Sequence, residues 1–183
     1  MINQLAIQQL QNKFRSAKPY PHIIIDDFFK KEVAENIFRE LSEFDYKKNN
    51  TVHYDNPIEN KFACNHYDRF PPNIYNAFIF LNSEMFVNII KQISSTEKVY
   101  VDVGLHGGGM HFHEKGGKLN IHQDYSIHPK IKLKRKFNLI IYMTEQWKES
   151  YKGHLEMWSH DKETNEPRNC VKKILPKFSP QSL

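Results

Sequence analysis

The stretch Lys118-Leu119-Asn120-Ile121-His122-Gln123-Asp124 decides how the rest of this 183-residue chain is read. Apolar and polar residues alternate through it, the pattern of a strand with one face inward. Successive side chains of a strand point to opposite faces. Leu119 and Ile121 therefore go one way, and Asn120, His122 and Asp124 go the other. An imidazole and a carboxylate are presented side by side.

Upstream, Gly116-Gly117 supplies a hairpin-type turn, and Gly107-Gly108-Gly109 permits a sharp turn or a close backbone approach. Strands are expected at 98–106, 110–113, 118–124, 137–143, 154–158 and 170–175. The run Phe137 to Met143 is nearly all apolar, which suits a buried strand. The first half reads differently. Ile2, Ala6, Leu10 and Phe14 recur at helical spacing, and Pro19 and Pro21 end that helix. Ile23-Ile24-Ile25 suggests a short buried strand. Val33, Ile37, Phe38, Leu41 and Phe44 mark one face of a second helix over 30–44. Residues 45–69 lack a period and read as loop. Helices return over 73–93, opened by Pro71 and Pro72. Helices first and antiparallel-looking strands second indicate an α+β fold in a single domain, 1–183, helical over 1–95 and β-rich over 96–183.

Composition narrows the class. Hydrophobic residues at 39% and charged residues at 26% suit a globular chain. No apolar run approaches the roughly 20 residues that span a bilayer, and the first residues lack the layout of a signal peptide. A cytoplasmic location, with no membrane partner, is expected. Cys64 and Cys170 are expected to be free thiols. The net charge of +5 owes much to Lys130, Lys132, Lys134, Arg135 and Lys136. That run is read as a solvated surface rather than a nucleic-acid site, since no aromatics interleave with it. Tyr54, Phe62, Tyr67 and Phe70 are read as packing residues rather than a substrate lid.

Two His and one carboxylate on one face of a metal are the ligand set of non-haem iron(II) oxygenases. An HxD triplet alone is a weak signal, but its surroundings add to it. Leu105-His106-Gly107-Gly108-Gly109, Gly116-Gly117-Lys118-Leu119, His122-Gln123-Asp124, His128-Pro129, Arg135-Lys136-Phe137-Asn138-Leu139, Ile141-Tyr142-Met143, Trp147 and Gly153-His154-Leu155-Glu156-Met157-Trp158 follow one another in order. Together they resemble the prolyl-4-hydroxylase-like branch of the 2-oxoglutarate/iron(II) oxygenase superfamily. Pro21 to Phe29 looks like that family's lead-in strand.

The resemblance implies a double-stranded β-helix, or jelly roll, with the N-terminal helices packed on one sheet. It implies Fe(II) as cofactor, 2-oxoglutarate as co-substrate and ascorbate as an auxiliary. His122 and Asp124 match the first two metal ligands, and Asn138 and Arg135 fall in the co-substrate region. The activity implied is hydroxylation of a protein side chain, an amino acid or a related metabolite. The family pattern also asks for a second His on a later strand and a basic residue after it, to clamp the co-substrate carboxylate. Lys173 to Phe178 reads as the entrance to that strand, and no counterpart of the His or the clamp follows before Leu183. The last strands are therefore expected to be missing, which makes the chain a truncated, inactive fragment of an oxygenase unless a separate polypeptide or another His completes the site. Substitute histidines are His106, His111, His113, His154 and His160. The alternative is a non-catalytic jelly-roll module that binds a partner.

Overall fold

The structure, a computed structural model, describes residues 1–176 and 178. Four α-helices and six strands are formed among them: α1 (Ile7–Ser16), α2 (Lys31–Glu43), β1 (Val52–Asp55), β2 (Glu59–Cys64), α3 (Pro72–Leu81), α4 (Glu84–Ser94), β3 (Met110–Phe112), β4 (Lys118–Leu119), β5 (Leu155–His160) and β6 (Pro167–Ile174). This is a mixed arrangement of helices and antiparallel sheet, as an α+β fold requires.

The amphipathic helices form where their apolar period predicts. On α2, Ala34 and Ile37 are buried, with Val33 and Leu41 packed beside them. The expected 73–93 helical stretch is two helices, separated at Asn82-Ser83. Ser83 caps α4 by accepting from the Phe86 amide. α3 starts at Pro72, after a Pro71 that offers no capping side chain. Glu40 on α2 supplies the cap instead, accepting from the Asn73 amide at 2.9 Å and the Ile74 amide at 3.0 Å. A carboxylate at a helix N-terminus satisfies orphan donors and meets the positive end of the helix dipole. It also fixes α2 against α3.

Residues 45–69 are not a loop. β1 and β2 form an antiparallel hairpin with Val52 opposite Ala63 and Asp55 opposite Asn60. Asn56 makes the turn, its side-chain oxygen accepting from the Ile58 and Glu59 amides. β2 is the centre of a four-stranded sheet, because β3 and β4 both pair along its other edge. Phe62 faces Phe112, while Asn60 faces Lys118. Two steps on β2 thus match six on the other side, so four extra residues loop out. Gly116-Gly117 serves this loop-out and does not join β3 to β4 as a hairpin. Gly109 is required where β3 begins. Its φ is +103°, and a Cβ there would lie 2.1 Å from the Cys64 carbonyl oxygen. The core lies between this sheet and the helices, through Cys64 and Met110 below and Ala34, Ile37, Ile74 and Ala77 above.

β5 and β6 form a separate antiparallel pair, with Leu155 opposite Ile174. The closed jelly roll is not shown. Residues 98–106 and 137–143, expected as strands, form no ladder, and neither does Ile23-Ile24-Ile25. A run of apolar residues favours a buried strand only where another strand offers its backbone. Leu139 and Ile140 remain about half exposed, while Ile141 and Met143 pack against the core. Lys173 and Ile174, expected to enter a later strand, complete β6. Lys177 and the residues after Phe178 lie outside the described residues.

Candidate metal site

The regular strand stops two residues into the stretch that carries His122. β4 ends at Leu119, one further ladder bond joins the Asn120 amide to the Ile58 carbonyl, and the chain bends at Ile121. Leu119 and Ile121 are both exposed rather than inward. The side chains of His122 and Asp124 nonetheless turn to the same side. His122 Nε2 lies 3.6 Å from Asp124 Oδ1.

That gap is too long for a hydrogen bond. It suits two donors beside one ion. With metal–ligand bonds of about 2.0–2.2 Å, neighbouring donors around a metal stand about 3 Å apart, so a small closing movement brings both into range. The tautomer also fits. His122 Nδ1 sits 2.7 Å from the Asn120 carbonyl oxygen, which can only accept. Nδ1 therefore carries a hydrogen, and in the neutral ring this leaves the lone pair on Nε2, the nitrogen beside Asp124. Both side chains are open to solvent, 42% and 43% exposed.

A second β-structure delivers the rest of the site. Ile127 bridges Lys134, the His128 amide donates to Leu133, and the Arg135 amide donates to the Ser126 carbonyl at 2.9 Å. This small hairpin returns Arg135 to the residue it left at Asp124. Arg135 Nη2 reaches Asp124 Oδ2 at 3.2 Å, and its guanidinium lies 4.8 Å from the centre of the Tyr125 ring. The Tyr125 hydroxyl donates to the His106 carbonyl at 3.0 Å.

His128 holds the hairpin's turn. Its Nδ1 accepts from the amides of Lys130 and Ile131, at 3.1 and 3.2 Å. The ring is buried at 6% exposure, with Nε2 3.2 Å from Asp102 Oδ2 but out of line for a hydrogen bond. Asp102 in turn accepts from the Gly104 and His106 amides. Sequence reading gave neither His128 nor Asp102 a role. The adjacent Pro129 marks a turn, which was the available signal for His128. Asp102 had none, because its partner is 26 positions away.

The remaining candidates are dispersed. Among the described residues, no three His, Cys, Asp or Glu side chains converge on one point. His106, His111, His113, His154 and His160 thus provide no third ligand beside His122 and Asp124. His111 is on β3, opposite Ala63. Its imidazole is held below its ordinary pKa first by desolvation and then by Lys61, although the residue is exposed at the surface. Asn138 is exposed, on the unpaired extended segment after the hairpin.

This geometry sets an imidazole and a carboxylate side by side, with a guanidinium beside the carboxylate's far oxygen. Residues 109–183 match the model of a family described as the 2OG-Fe(II) oxygenase superfamily. The match takes in His122, Asp124 and Arg135, and at superfamily level it supports a dioxygenase-like function using Fe(II) and 2-oxoglutarate. No curated protein and no solved structure matches the chain. No helix among the described residues is long and apolar enough to cross a membrane.

Proposed function

We propose that this chain is an Fe(II)- and 2-oxoglutarate-dependent dioxygenase of the prolyl-4-hydroxylase-like branch, with His122 and Asp124 as metal ligands. The observation that carries the reading is the convergence of His122 Nε2 and Asp124 Oδ1, 3.6 Å apart, inside the segment that matches the oxygenase model. When bound, the metal and 2-oxoglutarate would supply oxidative decarboxylation coupled to hydroxylation of a substrate. The chain's own part is to orient the donors. The Asn120 carbonyl fixes the His122 tautomer so that Nε2 is the donor. Asp124 would offer Oδ1, the oxygen beside His122 Nε2, to the same ion. Asn138 stays assigned to the co-substrate region by resemblance, as does a jelly-roll arrangement of the β-rich part. The substrate class is a protein side chain, an amino acid or a related metabolite.

A second reading, a non-catalytic module, is favoured by the lack of a third donor among the described residues. Anaerobic titration with Fe(II) and 2-oxoglutarate separates the two. The dioxygenase reading expects a visible charge-transfer band and succinate release once oxygen is admitted, both lost in His122→Ala. A folded chain that gives neither band nor metal uptake is the module.

A further inference from the structure

We infer that Arg135 is a positioning residue that aims Asp124 at the metal. The inference rests on the metal-site reading above. The Asp124 carboxylate is divided between two neighbours: Oδ1 faces His122 Nε2 and Oδ2 meets Arg135 Nη2. A carboxylate with one oxygen held cannot rotate freely, so the other stays beside the imidazole. Ligating carboxylates are commonly held by such an outer partner.

The guanidinium is itself immobilised. It lies over the Tyr125 ring and the side chain is only 21% exposed, while the residue's backbone amide donates to the Ser126 carbonyl. Tyr125 is anchored in turn by its hydroxyl on the His106 carbonyl. A chain of contacts therefore runs from the 102–106 loop to the metal-facing oxygen. An arginine suits this place because a planar guanidinium lies over an aromatic face while its edge pairs with a carboxylate; a lysine ammonium does neither in the same way. Arg135 is thus engaged by Asp124 and Tyr125.

An opposing effect has to be weighed. A guanidinium repels a divalent ion bound to the same carboxylate. At an open site that repulsion is weakened by solvent, whereas loss of orientation is not. The sign of the mutational effect therefore decides the matter.

The test is Mn(II) titration of the full chain, reading free ion by its electron paramagnetic resonance signal, with circular dichroism to confirm folding. Arg135→Gln is expected to weaken binding about 10–100-fold, with Arg135→Lys intermediate. Tyr125→Leu, which removes the guanidinium's support while leaving both charges, is expected to weaken it several-fold and serves if Arg135→Gln does not fold. Unchanged or tighter binding in these variants, with His122→Ala weakened, overturns this inference alone. No Mn(II) uptake by the wild type, or equal uptake by His122→Ala, overturns the metal-site reading and this inference together.

Discussion

Ile74 and Ile121 are chemically identical, and the molecule treats them in opposite ways. Ile74, on α3, keeps 2% of its surface exposed; Ile121, beside the candidate ligands, keeps 52%. The contrast extends to whole regions. The helices and the β1–β4 sheet close over Cys64, Ile37 and Met110, and burial of apolar surface holds them. The site-bearing segment exposes Leu119, Ile121, Ile127, Ile131, Leu133, Leu139 and Ile140. It is held by specific polar contacts: Asn120 to Ile58, Arg135 to Ser126 and Asp124, His128 to its own turn. Polar contacts fix direction well but contribute little net stability each. Function placed on such a segment gains adjustable geometry, and stability has to come from the other region.

Core deletion breaks this contrast most directly. Ile74→Ala should lower unfolding stability by about 2–5 kcal/mol, and Ile121→Ala should change it by no more than about 0.5 kcal/mol, both read from denaturant melts. Similar losses at the two positions would show that the site segment is packed after all. Next in size is Glu40→Ala. It strips the N-terminal amides of α3 of their acceptor and should remove about 1–3 kcal/mol, while metal uptake at His122 and Asp124 stays as in the wild type. Hydrogen exchange sharpens the same division without a substitution. Amides of 121–126 and 137–143 should exchange far sooner than those inside α3, since they lack ladder or helix partners.

The smallest expected effect is a pH dependence on the sheet. Desolvation first, and Lys61 second, hold the His111 imidazole below its ordinary range, and the same two influences act on His113. Such a histidine takes up its proton more readily when unfolded. Its neutral form is accommodated fully above about pH 6.5, and stability declines as pH falls through that value. The effect is modest because both residues are exposed to solvent. His111→Gln should flatten the slope of stability between neutral and mildly acid pH; an unaltered slope would place its cause elsewhere.

Local patterns were legible in the sequence and long-range pairings were not. Val33, Ile37 and Leu41 announce α2 because a helix satisfies its own backbone within the segment. β1 and β2 carry no such signal because they are short, four and six residues, and mostly polar, and only pairing stabilises them. The reverse error occurred at Phe137 to Met143, whose apolar run says nothing about which strand, if any, lies beside it. At the site, the i and i+2 spacing of His122 and Asp124 correctly puts them together, although they sit past the end of β4 rather than inside a strand. The supports supplied by Asp102 and Tyr125 depend on contacts between separate turns, and no periodicity encodes those.

The central claim is that His122 and Asp124 hold one metal ion between them. X-ray absorption on the Fe(II)-loaded chain under nitrogen tests it most directly. The account predicts one ion per chain whose shell includes imidazole scattering, with that scattering lost in His122→Ala and binding weakened in Asp124→Ala. An unchanged imidazole signal and unchanged binding in both variants would contradict it.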